Sequence, residues 1–196
     1  MKLVRWTIPA LVLLLCLSGC GGTAVPKTAD GLEWSEDWVT LGRVVGVDTP
    51  EGLTWRESSD TLAPRGMYYA AWSAGEEVPY VNEDGEDARL YDAQLAYLLA
   101  GYDDTGKAEE AAAEWLGMAE EQYEVEETAT ENRGGQEFTV LTYTCASGTN
   151  PYARGASAFG TYGNYAISAE LTCRESFDGS AREILEDFLD HCHYAA

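Results

Sequence analysis

Positive charge is what this 196-residue chain has least of: 12 Lys plus Arg stand against 34 Asp plus Glu, for a formal net charge of -22. A nucleic-acid binder needs a basic stripe that displaces counterions from phosphates, so that class is excluded. The same imbalance argues against docking on anionic lipid through protein charge. Histidine is scarcer still, with only His191 and His193 in the whole sequence. A Ser-His-Asp or Cys-His site would have to be built at that one end of the chain, which argues against this kind of catalysis. Gly-rich phosphate loops and internal repeats are absent. The apolar run 6–17 is interrupted by Pro9 and is shorter than the ~20 residues of a spanning helix. Packing material is not lacking. Hydrophobic residues make up 45% and aromatics 11%, too much for a disordered chain. At ~100–200 residues per domain, one domain with a real core is expected.

The N-terminus reads as an address. Lys2 and Arg5 form a basic n-region, 6–17 is the apolar h-region, and Leu17-Ser18-Gly19-Cys20 follows, with Gly21-Gly22 after it. This arrangement resembles the lipobox of bacterial lipoproteins. The resemblance implies that signal peptidase recognises Leu17, Ser18 and Gly19 and cuts before Cys20. It also implies a diacylglyceryl group on the Cys20 thiol, with or without an N-acyl chain, and no other cofactor. The location implied is the extracytoplasmic face of the cell membrane. Gly21, rather than Asp, after the lipidated residue favours the outer membrane in a cell that has one. Loss of 1–19 removes Lys2 and Arg5 and no acid, taking the net charge from -22 to -24. Residues 20–33, rich in Gly, Thr, Ala and Pro, read as a lipidated flexible tether, and 34–196 as a single domain.

Within that domain, 38–47 alternates as a strand, 53–57 is a short second strand and 67–73 a third, with 75–87 a polar, acidic loop. Tyr91, Leu95, Leu98 and Tyr102 recur at helical spacing, which predicts a helix stopped by Gly101. Asp103, Asp104 and Thr105 offer caps for a second helix ending near Gln122. Its apolar face is Ala108, Ala111, Ala112, Trp115, Met118 and Ala119, with Glu110, Glu114 and Glu121 opposite. Segments 123–130 and 136–145 form a hairpin around Asn132-Arg133-Gly134-Gly135, and 156–162 and 165–173 a second around Gly163-Asn164. In the last strand Tyr165, Ile167, Ala169, Leu171 and Cys173 alternate with Ala166, Ser168, Glu170 and Thr172, a half-buried pattern. Ser180-Ala181-Arg182-Glu183 is a capping box. The helix it opens buries Ala181, Ile184, Leu185, Phe188 and Cys192, with Glu186 on a solvated face.

This order is α+β. It resembles the PsbP-like family, named for an extrinsic photosystem II subunit and including many small bacterial lipoproteins. The likeness rests on Val45-Gly46-Val47-Asp48-Thr49-Pro50-Glu51-Gly52 and on the strand that leaves Tyr162-Gly163-Asn164-Tyr165, runs to Thr172 and passes into the helix capped at Ser180. Covering about 38–194, it implies an antiparallel sheet flanked by helices in an α/β/α sandwich, and no catalysis. The expected function is a membrane-anchored, non-enzymatic binding or assembly module of the cell envelope.

Rival readings rest on particular residues. Trp55, Tyr68, Tyr69 and Trp72 sit on strands and could stack on a glycan or grip a peptide, although large aromatics more commonly fill a sheet–helix interface. A small carboxylate-dependent hydrolase would need two carboxylates in perturbed environments. A metal on Asp190-His191-Cys192-His193 is disfavoured, because helical residues i and i+2 point ~200° apart. Asn82, Asp84 and Gly85 match part of a calcium loop, but Tyr80 and Tyr91 occupy its first and last ligand positions, so the segment reads as solvated. Cys145, Cys173 and Cys192 remain after cleavage. An odd number leaves a thiol over, and a meander would put Cys145 and Cys173 on similar faces but two strands, ~9–10 Å, apart. Cys192 is expected at the far end of the sheet from Cys173.

Overall fold

The computed structural model describes residues 34–41, 44–50, 54–60, 66–81, 85–145, 151–177 and 179–194, leaving aside the side chains of 34–40, 47–50 and 54–60. Its main element is a seven-stranded antiparallel sheet made of β3 (Thr54–Asp60), β4 (Met67–Ala74), β7 (Ala93–Gly101), β11 (Tyr165–Cys173), β10 (Arg154–Tyr162), β9 (Gln136–Thr144) and β8 (Glu124–Arg133), in that spatial order. A smaller sheet holds β1 (Trp34–Leu41), β2 (Val45–Pro50) and β12 (Cys192–Tyr194), and β5 (Val78–Val81) pairs with β6 (Asp87–Leu90) in a two-stranded ribbon. Helix α1 (Thr105–Gln122) packs on one face of the large sheet and α2 (Ala181–Asp190) on the other, both over β10 and β11. The α+β class with an antiparallel sheet flanked by helices is therefore the observed one.

The largest correction falls on 91–102. This segment is a strand, not a helix, and all nine residues of β7 are buried. Leu95, Tyr97 and Leu99 enter the core under α2, while Ala96, Leu98 and Ala100 enter the core under α1. With both faces covered, a strand becomes a continuous apolar run, and such a run fits helical and extended spacing equally. Gly101 is the last residue of this strand rather than a helix stop. The same two-sided burial corrects the half-buried expectation for β11, where Ala166 and Thr172 are buried alongside Ile167, Ala169 and Leu171. Two smaller corrections concern the first half. Segment 38–47 spans two antiparallel strands, β1 and β2, with Leu41 opposite Val45, and the acidic loop 75–87 contains β5.

Local signals placed both helices well, whereas β6 and β12 carried no expectation. Asp104 caps α1 by accepting the Lys107 N–H at 2.9 Å, and Ala108, Ala111, Ala112, Trp115 and Ala119 are its buried residues, while Met118 is only half-buried. Four alanines allow the helix axis to approach the sheet closely. Ser180 caps α2 by accepting the Glu183 N–H at 3.3 Å. Phe188, fully buried, meets Trp72 and Tyr97 edge-on, with ring centroids 5.2 and 5.9 Å away. Cys192, expected on this helix, lies beyond its end in β12.

Glu186 also needs correction, because it is not solvated. Its side chain is 14% exposed and bridges Arg133 Nη2 at 2.5 Å and Arg182 Nε at 2.6 Å. Arg133 continues to Asp190 at 3.1 Å, and Arg182 to Glu127 at 2.6 Å and Glu131 at 2.9 Å. The network ties α2 to edge strand β8. Gly134, in the β8–β9 turn, completes the joint: its N–H donates to Asp190 at 3.0 Å, its φ is +55°, and a Cβ there would stand 2.5 Å from the Leu189 carbonyl oxygen.

Cys145, Cys173 and Cys192 are not joined to one another by disulfide bonds. Ala153, just before β10, accepts the Cys145 N–H and donates its own to the Cys173 carbonyl, each at 2.8 Å, so a stretch of chain runs between the two cysteines. They also sit on opposite faces rather than similar ones, Cys145 against the α1-side core and Cys173 within the α2-side core.

Phe188→Ala should lower unfolding stability by roughly 3–5 kcal/mol, as loss of a buried aromatic. Glu186→Ala should cost about 1–2 kcal/mol, because two guanidinium partners lose a shared acceptor. Denaturant melts of the two variants beside the wild type measure both.

Candidate functional site

The lipobox residues Leu17, Ser18, Gly19 and Cys20 lie outside the described residues, as does the Trp55 side chain, although Trp55 faces Trp72 in the β3–β4 register. The other three aromatics of the expected strand cluster do not form one exposed surface. Alternation along β4 sends Tyr68 and Trp72 to the α2 side and Tyr69 to the α1 side. Trp72 has no exposed surface and Tyr69 is 7% exposed; both serve as core, and only Tyr68 is half-buried. At the C-terminus, His191 caps α2 with its Nδ1 2.8 Å from the Asp187 carbonyl, and His193 stands on β12. Among the described residues no group of three His, Cys, Asp or Glu is placed to hold a metal ion. Of the calcium-loop residues, Asn82 and Asp84 lie outside the described set and Gly85 has φ +80°.

The unusual chemistry lies elsewhere, on the α1 face of the large sheet. Glu170 is on β11, where alternation predicts a solvated carboxylate, yet it sits under the C-terminal end of α1. Three hydroxyls converge on its Oε1: Ser157 of β10 at 3.1 Å, Tyr123 at 3.2 Å and Tyr143 of β9 at a very short approach. Register explains the convergence. Glu170 pairs with Ser157, and Tyr143 pairs with Gly155, two residues before it. A Cβ at Gly155 would fall 2.5 Å from the Tyr143 hydroxyl, so a glycine there leaves the space that the phenol occupies. Tyr123 is the C-cap of α1, its N–H donating to the Ala119 carbonyl at 3.0 Å. The Tyr123 and Tyr143 rings stack with centroids 3.9 Å apart and planes 3° from parallel.

Burial raises the Glu170 carboxyl above the ordinary glutamate range, opposed by the three hydroxyl hydrogen bonds. Burial, with the Glu170 charge, raises Tyr123 and Tyr143 in turn and pushes the Cys145 thiol up to about 12. Chemically the cluster can store or release one proton. Its recorded partners are hydroxyls and not a second carboxylate, so the paired-carboxylate arrangement of a hydrolase is not formed at this position.

The chain matches no protein-family model and no curated protein. Its fold is similar to the solution structure of cyanobacterial PsbP (CyanoP) from Synechocystis sp. PCC 6803. The two are 15% identical with a TM-score of 0.48, over 91% of this chain and 99% of that one.

A second polar junction, Asp92, was also invisible in the sequence. It accepts the Glu76 N–H at 2.8 Å, the Ser176 hydroxyl and Arg174 Nη1 at 3.3 Å, joining the entries to the β5–β6 ribbon, β7 and α2. Gly75, at φ +89°, leaves room for this carboxylate, which a Cβ would strike. The usable signal in both cases is a carboxylate beside a run of apolar strand residues, which marks a buried acid only once the strand is known to be covered on both faces.

Burial raises the Asp92 carboxyl, but the hydrogen bonds from Ser176 and Glu76 and the Arg174 charge outweigh it, for a net lowering. Its stabilisation is therefore present above the ordinary aspartate range and lost as pH falls through the lowered folded value. Asp92→Asn should show a lower denaturation midpoint than wild type at pH 7, with the gap closing as pH falls below ~3.5. Urea melts across that range measure it.

Proposed function

We propose that the protein is a lipid-anchored, extracytoplasmic bacterial lipoprotein whose α+β domain works as a non-enzymatic binding or assembly module of the cell envelope. The observation that carries this reading is Leu17-Ser18-Gly19-Cys20, placed after a basic n-region and an apolar h-region of signal-peptide length. The PsbP-like pattern around 45–52 and 162–180 agrees with it, since that resemblance implies a fold and no catalytic motif. Charge agrees as well. A mature domain near -24 is repelled by an anionic surface, so covalent lipid, and not protein charge, holds it to the membrane. Cys20 and Trp34 are 14 residues apart, so the first strand can stand no more than about 50 Å of extended chain from the lipid. That leash keeps the domain at the membrane face, where its partner, whether an envelope protein, a peptide or a glycan, would be met.

Cys20→Ser removes the thiol on which the thioether must form. Detergent phase separation should send the wild-type protein, with a mass raised by lipid, to the detergent phase, and the variant to the aqueous phase or to an uncleaved precursor. A Cys20→Ser protein that still enters detergent at the wild-type mass overturns the reading.

A further inference from the structure

We propose that Glu170 and the half-buried apolar collar around it bind a primary alkylammonium ion, whose charged head meets the free oxygen of the carboxylate. All three hydroxyl donors converge on Oε1: Ser157 at 3.1 Å, Tyr123 at 3.2 Å and Tyr143 closer still. Among the described residues none donates to Oε2. The base of the site is closed, with Tyr143 and Ser157 buried. Its mouth is not, since Glu170, Tyr123, Val125 and Cys145 are all half-buried.

Three donors on one oxygen fix the carboxyl group in place and favour its charged form, while burial opposes the charge. A carboxylate withdrawn from water is ordinarily paired with a cation. Among the described residues no Lys, Arg or His bonds Glu170. Arg89, Lys107, Arg133, Arg174 and Arg182 are engaged with other carboxylates. The fold thus supplies the orienting hydrogen bonds and leaves the positive charge to a ligand.

The free oxygen also selects among cations. A guanidinium binds best as a fork across both carboxylate oxygens, and here Oε1 already holds three donors. An ammonium is a compact donor that needs only one oxygen. A divalent metal ion needs several ligands, and among the described residues no group of three His, Cys, Asp or Glu is placed to hold one. The collar suits the rest of the ligand. Val125 pairs with Tyr143 in register, and Val125, Tyr123 and Cys145 pack on the α1-side core, giving apolar surface for an alkyl stem. The acid excess of the chain draws cations toward it.

Titration of the full-length protein in detergent with n-butylamine tests this, followed through the Tyr123 and Tyr143 ring resonances. At pH 7 and ~0.15 M NaCl, attraction to the acidic surface at large is screened beyond ~8 Å. The shifts should saturate, with intermolecular Overhauser contacts from the amine's α-methylene to the Tyr123 ring. Glu170→Gln, which keeps the shape and loses the charge, should weaken binding about tenfold or more. Glu114→Gln, an exposed acid of α1, should leave the affinity unchanged. n-Butylguanidinium should bind the wild type several-fold more weakly than the amine. Equal affinity in wild type and Glu170→Gln means general attraction to the acidic surface and overturns the proposal. Shifts that do not saturate, or a guanidinium that binds as tightly as the amine, overturn it too. Should Glu170→Gln fail to fold, the Overhauser contacts in the wild type decide alone, and their absence is fatal.

Discussion

β7 lies third in the seven-stranded sheet and buries all nine of its residues, so apolar side chains leave both of its faces and each face requires a cover. One helix cannot supply both covers. The chain meets the demand by leaving β7 through α1 on one side, returning along the β8–β9–β10–β11 meander to pair with β7 again, and leaving β11 through α2 on the other side. Every other packing arrangement follows. The alanines of α1 let that helix sit close over small residues such as Ala96, Ala100 and Ala166. On the opposite side, Phe188 of α2 fills the space between Trp72 and Tyr97.

The two covers are fastened differently. Over the α2 face the core is mainly aromatic and aliphatic, and at its rim Arg133 and Arg182 hold the helix to β8 through shared carboxylates. Those ion pairs form a network with a bidentate centre at Glu186, the arrangement in which partly exposed pairs contribute measurably. Over the α1 face a carboxylate lies inside the boundary, surrounded by hydroxyls. The α2 side is thus held at its rim by ion pairs, and the α1 side by hydroxyls gathered on one carboxylate.

What could be seen in the sequence was what depends on neighbours along the chain. Asp104 and Ser180 announce their helices because a cap acts within three residues, and Gly134-Gly135 and Gly163-Asn164 announce their hairpins because a tight turn needs φ above zero, as Gly134, Gly135 and Gly163 show. Contacts distant in sequence were hidden. Leu95 and Leu98 fit a helical stripe until β4 and β11 are known to flank them. Glu170 belonged to a solvated row until α1 was laid over that row. The pairing of Tyr68, Tyr69 and Trp72 as one surface failed for a simpler reason: neighbouring strand residues point to opposite faces, and both faces here are core.

The scarcity of basic residues acquires a structural meaning from the ion pairs. Among the described side chains, Arg89 bonds Glu77, Lys107 bonds Asp103, Arg174 bonds Asp92, and Arg133 and Arg182 share the network on α2. Arg154 donates to the carbonyls of Phe177 and Gly179 and lies over the Phe177 ring, holding the loop that leads to α2. All but Lys107, which pairs locally at the entry to α1, join segments distant in sequence. Exposed carboxylates line the outer side of α1 and β8, among them Glu109, Glu110, Glu114, Glu124 and Glu126. A field of one sign repels anionic ligands and surfaces and steers neutral or cationic ones, with a strength that falls as salt is added. Among the described residues the two signs are thus placed differently: the cations bond carboxylates or carbonyls within the fold, and carboxylates make up the exposed face of α1.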